Sequence, residues 1–290
     1  MKSEPTFALV VINTIAGNGL ASKIYSQFFK FLKEHNIQFF PYHTTGHNDS
    51  ENLKKLIQHR SFDVISILGG DGTINAVVNA LGDQDIPLHL VPCGNGNDLI
   101  ANLSKKGSMK MHFEHILKSS YKEIDLFQCN NRRFASCFGI GFDGRVCEVY
   151  ENGRSKNIPR GISYWRAVLS SLLGYKEVEL EINKEKKEIF LCTLSNNDRF
   201  GGGFMIAPGA DLNDGLLDMV LIGPTTLWER IVNLLKLKNG KHYQLDMVEH
   251  MQLSECRIYS EKDLPAHVDG ELLYDHNYII RHDRKIKIRL

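Results

Sequence analysis

The chain has 290 residues, 42% of them hydrophobic and 24% charged, with a formal net charge of +1. That length exceeds an ordinary single domain, so two domains are the default, and the apolar content suffices for ordinary cores. The near-neutral balance and scattered lysines offer no basic face of the kind nucleic acid requires, so they give no argument for that partner class and none is expected.

In chain order, residues 7–12 read as a buried strand closing in a glycine-rich loop, 13–19. A helix follows over 20–35, with Ile24, Phe28, Phe31 and Leu32 on one face. A second strand over 37–42 leads through Thr44, Thr45 and Gly46 to a helix over 49–60. The third strand is the apolar run from Val64 to Leu68, which ends in Gly69-Gly70-Asp71-Gly72 and passes into a helix over 74–81. Glycines 69, 70 and 72 are expected to take positive φ angles and to leave their N–H groups uncovered. The helix opened by Thr73 and Asn75 adds its positive dipole end at the same spot, which suits a phosphate. A carboxylate there, Asp71, would repel phosphate unless a divalent cation intervenes or it takes a proton from a substrate. Either use is phosphate chemistry. A fourth strand over 86–91 ends in a third glycine-rich loop, 92–98. Any one of these loops is also what a plain strand-to-helix turn looks like. Alternating strands and helices, however, require a parallel sheet whose carboxyl-end loops share one crevice.

After a helix over 109–118 the pattern changes. Strands over 124–128 and 133–138 flank Asn130-Asn131, a hairpin signal. Short strands then dominate, over 178–182, 188–194, 216–222, 250–260 and 283–290. This is an antiparallel domain beginning near Asp125. Two helical inserts interrupt it: 161–175, with Tyr164, Trp165, Leu169 and Leu173 and with Arg160 and Arg166 nearby, and 226–240, with Trp228, Ile231, Leu235 and Lys236. Such stripes suit a membrane surface, and equally a core-facing helix. The six cysteines lie far apart without a Cys-x-x-Cys pair, as expected of buried free thiols in a reducing compartment, here read as the cytoplasm. Residues 1–7 show no signal-peptide core, and no apolar run approaches the roughly 20 residues of a membrane span, so membrane contact is expected to be peripheral.

Four blocks in order, Gly69 to Asn75, Pro92 to Asp98, Gly201 to Pro208 with Asp211 to Asp218, and Asp269-Gly270-Glu271, together resemble the diacylglycerol kinase and sphingosine kinase superfamily, specifically its soluble bacterial lipid kinases. The resemblance implies an α/β N-terminal domain over 1–125, with a parallel, Rossmann-like, NAD-kinase-like sheet. It also implies a C-terminal antiparallel β-sandwich domain with helical inserts over 126–290, completing the active-site cleft and lipid site. The implied activity is an ATP- and Mg²⁺-dependent transfer of phosphate to a lipid hydroxyl, diacylglycerol-like first. Carried over by position, Gly69, Gly70, Asp71, Gly72, Thr73, Ile74 and Asn75 would hold the nucleotide phosphates. Asn13 and Thr44 would contact ATP; Asn95 stands where a threonine or serine is common, and Thr14 replaces the usual proline. Asp71, Asp98 and Asp125 would organise the magnesium that accompanies ATP. Asp214, with the backbone carbonyls of Asp211 and Leu216, would hold a separate structural magnesium. Glu271 would accept the hydroxyl proton, helped by Asp269, while Asp71 aligns the γ-phosphate. The implied partners are a lipid alcohol and, peripherally, the inner membrane face, with a homodimer left open.

Chemistry supports these roles without the family. Phosphoryl transfer needs charge neutralisation, in-line positioning and a carboxylate near the acceptor, and the chain offers these without a Gly-Lys-Ser/Thr loop or protein-kinase motifs. The alternatives are a kinase of a soluble substrate such as NAD, a nucleotide-binding sensor without turnover, and a lipid-binding module.

Overall fold

The computed structural model describes residues 5–103, 107–118, 120–153 and 160–289. The sequence readings that touch residues 1–4, the Arg160 side chain and Leu290 lie outside them. The chain divides into two compact units, residues 1–124 with 284–290, and residues 125–283.

The first unit is built on β1 (Phe7–Ile12), β2 (Gln38–His43), β3 (Val64–Gly69) and β4 (Leu88–Pro92), all parallel, in the order β2-β1-β3-β4. β3 is buried along its whole length, as expected of a parallel strand covered on both faces. Its helices are α1 (Leu20–Glu34), α2 (Asp49–His59), α3 (Asp71–Ala80), α4 (Asp98–Leu103) and α5 (Met109–Glu114). The Ile24, Phe28, Phe31 and Leu32 face of α1 packs on Val10, Ile12, Val64 and Leu68 from one side of the sheet. The carboxyl end of the last strand also joins this sheet, with Ile288 and Arg289 paired in parallel to Leu88 and His89. Residues 284–290, expected with the second domain, thus complete the first.

The second unit is an antiparallel β-sandwich. A hairpin of β5 (Tyr121–Cys129) and β6 (Arg132–Phe134) turns at Asn130, whose φ is +52°. Then follow β7 (Cys137–Gly141), α6 (Phe142–Asn152), α7 (Arg160–Leu172), β8 (Val178–Ile182), β9 (Glu185–Ile189), β10 (Leu191–Ser195), β11 (Leu217–Ile222), α8 (Leu227–Lys238), β12 (Val248–Leu253), β13 (Glu255–Val268) and β14 (Glu271–Arg289). The antiparallel path runs β12-β11-β10-β7-β13-β14, and the β8–β9 hairpin joins β13. Phe127, Phe134, Phe138, Leu194, Met219 and Tyr278 are among the side chains of its main core. Phe142, Val146, Val168 and Leu172 of α6 and α7 form a second cluster with Phe190 and Ile222.

Two expected strands divide. The run over 188–194 breaks at Phe190, whose N–H donates to Ile222 O (2.7 Å) and whose carbonyl accepts from Phe142 N (2.9 Å). The run over 250–260 breaks at Ser254 into β12 and β13. α6 was not expected. It starts at a glycine with φ +83°, Gly141, rather than at a side-chain cap, so the usual helix-start signal is absent.

Candidate active site

In the first unit, parallel pairing of β1, β3 and β4 brings their carboxyl-end loops together. Asn13 N donates to Leu68 O (3.0 Å), and Asn13 Nδ2 donates to Thr73 Oγ1 (3.1 Å). Cys93 N donates to Gly69 O (2.9 Å), and Thr44 N to Ile12 O (3.0 Å). The Thr44 loop is ordered by Asp49, whose carboxylate accepts from Thr45 N (3.0 Å), Gly46 N (2.7 Å) and the Tyr42 hydroxyl (2.9 Å). Asn13, Thr44, the 69–75 turn and the loop of Asn95 and Asp98 therefore share one sheet edge. Asn95 is exposed there. Ile74 and Thr73 are buried, so Ile74 can offer a ligand only its backbone.

The glycines of this edge serve a purpose other than the one expected. Gly69, Gly70, Gly72, Gly94 and Gly96 do not have positive φ angles. Gly70 is the extended N-cap of α3 (φ −116°, ψ −167°), and the helix begins at Asp71, three residues earlier than the periodicity of apolar residues suggested. What the site requires is close backbone approach. A Cβ on Gly94 would lie 2.4 Å from Gly70 Cα, and one on Gly70 would lie 2.9 Å from Gly94 Cα. A Cβ on Gly69 would fall 2.4 Å from Thr73 Oγ1, and one on Gly17 2.3 Å from Cys93 O. Asn97, not among the expected site residues, locks the third loop: at φ +54° its side chain accepts from Gly94 N (2.9 Å) and donates to Gly94 O (2.8 Å).

Asp71 occupies the first turn of α3, where the helix dipole favours a carboxylate. It accepts from Asp98 N (3.2 Å) and Leu99 N (3.4 Å), tying the start of α4 to the start of α3. The Asp71 and Asp98 carboxylates both border Gly96, so two hard oxygen donors stand beside amide-lined loops. That donor set fits Mg²⁺ carried by a triphosphate.

In the second unit Asp125 is fully buried and its carboxylate accepts from His282 Nε2 (2.7 Å) and Gly215 N (2.9 Å). Asp125 N also donates to Leu212 O (2.6 Å), so this residue grips the 211–216 loop at both ends of its own backbone and side chain. Within the loop Asp211 accepts from Asn213 N (3.0 Å) and Asp214 from Leu216 N (2.9 Å), with both side chains exposed. One carboxylate with backbone carbonyls is a hard-oxygen set suited to magnesium. Among the described residues, no three histidine, cysteine or acidic side chains gather as a metal cluster.

Asp269 and Gly270, at φ +49° and +84°, form the tight turn between β13 and β14. The Asp269 carboxylate accepts from three backbone amides, Ala135 N (3.0 Å), Ser136 N (2.9 Å) and Cys137 N (2.9 Å), which pins the turn and leaves Glu271 exposed at the head of β14. Behind the turn lies a buried pair that the sequence did not reveal. His267 Nδ1 accepts from Gly270 N (3.4 Å), so its Nε2 carries the proton donated to Asp143 Oδ2 (3.0 Å), and Thr193 Oγ1 donates to the same oxygen (3.3 Å). The Cys147 thiol donates to Gly270 O (3.2 Å), and burial pushes its pKa up, keeping it protonated. One signal in the sequence could have found His267, its place two residues before Asp269; Asp143 has none.

These features place three close-packed glycine-containing loops with the Asp71 and Asp98 carboxylates in the first unit, and the Asp269–Glu271 turn in the second. The family model for the diacylglycerol kinase catalytic domain matches residues 7–129, and that for the YegS C-terminal NAD kinase beta sandwich-like domain matches residues 136–280. The chain belongs to this lipid kinase family. It is 25% identical over 275 residues to a diacylglycerol kinase of Bacillus subtilis (strain 168), covering 91% of this chain and 89% of that one. It is 24% identical over 281 residues to a diacylglycerol kinase of Mycobacterium tuberculosis (strain ATCC 25618 / H37Rv), covering 90% and 89%. The crystal structure of a diacylglycerol kinase from Bacillus anthracis str. Sterne superposes with a TM-score of 0.72 at 18% identity, covering 99% of this chain and 98% of that one, which is a likeness of fold.

Proposed function

We propose that the protein transfers the γ-phosphoryl group of ATP to the hydroxyl of a lipid alcohol, diacylglycerol-like first, with Mg²⁺. The observation that carries this reading is the convergence of three amide-rich loops with the Asp71–Asp98 carboxylate pair at the N-terminus of α3. Asn13, Thr44 and residues 69–75 bind the nucleotide, the amides and the helix dipole offsetting phosphate charge. Asp71 and Asp98 would hold the magnesium of ATP, which would neutralise charge on the phosphate oxygens. The Asp125 carboxylate, taken by His282 and Gly215, serves this arrangement by holding the 211–216 loop, where Asp214 with the carbonyls of Asp211 and Leu216 would hold a structural magnesium.

Glu271 accepts the acceptor's O–H proton as that oxygen bonds to the γ-phosphorus. The bond from phosphorus to the β,γ-bridging oxygen breaks, and ADP leaves. Asp269 fixes the turn that presents Glu271. Because the acceptor is an amphiphile, the reading includes a cytoplasmic enzyme working peripherally at the inner membrane face.

The test is to incubate the purified chain with radiolabelled ATP, Mg²⁺ and a panel of lipid alcohols in mixed micelles, with NAD as a control. Label in a lipid, abolished by Asp71→Asn in a folded protein, supports the reading. Label in NAD alone overturns it.

A further inference from the structure

Among the described residues, the outward face of α8 has no partner in its own unit. No residue of this helix is buried, although Leu234 and Leu237 pack inward. Trp228, Ile231, Val232 and Leu235, spaced as one helical stripe, are 73%, 49%, 46% and 65% exposed. α7 packs beside it: Lys238 Nζ lies 4.9 Å from the Trp165 ring, and Tyr164 joins the cluster of Leu234 and Leu237. Exposed Leu169 and Leu173 follow on the α7 side. Helices whose apolar residues pointed only to the core would have explained the sequence pattern, but each of these carries a second apolar face. Apolar side chains concentrated in this way mark an interaction surface.

Charge decides what the surface fits. The sequence of α7 contains no carboxylate and that of α8 only Glu229. Glu229 is taken by its own helix start, accepting from Thr226 N (2.8 Å) and Thr226 Oγ1 (2.8 Å) in a capping box. Arg166, Lys236 and Lys241 stand exposed around the apolar residues. Pairing this face with a second copy about a two-fold axis would set cations against cations. An anionic lipid surface offers the complementary charge, and a tryptophan among aliphatic residues is suited to its interfacial zone. We propose that the outer face of α8, with the adjoining residues of α7, docks on an anionic bilayer, Trp228 and Leu235 entering the headgroup boundary and Lys236 and Lys241 meeting the lipid charge.

The full chain is sedimented, without nucleotide, with vesicles of equal parts phosphatidylglycerol and phosphatidylcholine, and with phosphatidylcholine alone. Binding is expected to the anionic vesicles. The double variant Ile231→Ser/Leu235→Ser, with unchanged thermal melting, is expected to lose at least about tenfold in binding. Lys236→Glu/Lys241→Glu should erase the preference for phosphatidylglycerol. With only two tryptophans in the chain, a blue shift of emission on vesicle addition should vanish in Trp228→Phe. Vesicle binding that the double variant leaves intact overturns the proposal. So does the absence of vesicle binding together with a dimer in gel filtration that the same variant splits, since the face would then cover a second copy. Neither readout uses turnover, so failure of the kinase reading and failure of this one are told apart.

Discussion

Gly94 and Gly70 meet with their backbones almost in contact, so a single methyl group tests the architecture of the nucleotide edge. Gly94→Ala places a carbon 2.4 Å from Gly70 Cα, and backbone cannot rotate aside as a side chain can. Overpacking of this kind costs about 1–3 kcal/mol, and here it opens the loops that would cradle phosphate. ATP affinity measured by calorimetry should fall by about tenfold or more. Unchanged affinity would show that the two loops act independently. His267 makes a second test. Replacing it with Ala takes the imidazole donor from the buried Asp143 carboxylate, which keeps the Thr193 hydroxyl, and unlinks Gly270 N, at a stability cost of about 1–3 kcal/mol. Turnover should fall more than apparent ATP affinity, because the nucleotide loops are untouched, while His267→Gln, able to bridge both partners, should restore part of it. Equal losses in both quantities would deny His267 a positioning role. The glycine runs were legible in the sequence as loops at the carboxyl ends of strands, but the reason for their glycines was not: residue type alone does not distinguish a positive φ from a close approach.

At the scale of elements, periodicity located most helices and strands, and it failed where distant contacts decide. Phe190 interrupts what reads as one strand because its ring stacks on Phe142 (4.6 Å between centroids) and lies under Arg230 (4.5 Å), neither of which is near it in sequence. Arg230, in α8, is intermediate in exposure as a residue, but its side chain is only 7% exposed and donates to Glu177 Oε1 (2.5 Å), Tyr175 O (2.8 Å) and Thr225 O (3.0 Å), which moors that helix to the strand connection before β8. Glu177→Ala leaves the guanidinium without its counter-charge, a change worth about 3 kcal/mol when an ion pair is broken from one side. Chemical denaturation followed by tyrosine and tryptophan signals should show that loss. A difference below about 0.5 kcal/mol would mean the carbonyls alone suffice, as for a surface pair. The second apolar face of α8 is another feature no pattern could resolve, since a helical stripe does not say which side the body of the protein occupies.

For the molecule as a whole, ionisable groups in the first unit's core set its response to pH. Burial lowers His89 to about 3 and His115 to about 4, and lowers His112 as well, from an ordinary value of 6.5. The unfolded chain binds these protons below about pH 6.5, whereas the folded chain resists them, so protons favour unfolding throughout that interval. Stability should therefore drop as pH falls from 6.5 toward 4. Thermal melts should record a decline that His115→Leu makes shallower; melting independent of pH over this range would contradict the burial of the cluster. The six cysteines are all buried, and burial pushes Cys93, Cys129 and Cys256 up to about 12, in keeping with inert thiols. The two-domain plan was readable from the switch between alternating and purely β patterns. The return of residues 284–289 to the first sheet was not, because an edge strand added in parallel carries the same apolar alternation as one added to the sandwich.

That return has a consequence for how the molecule is made. β4 has Ile288 and Arg289 as its outer neighbours, and Arg289 donates to the carbonyls of Ile116 (2.8 Å) and Lys118 and to the Tyr121 hydroxyl (3.2 Å). On the ribosome, residues 1–124 emerge first, yet their sheet stays open at one edge while the whole of the second unit is synthesised. The order of translation is thus inverted in the order of completion, and a nascent chain stalled before residue 284 presents an unfinished nucleotide fold with a bare strand for chaperones, or for another chain, to engage.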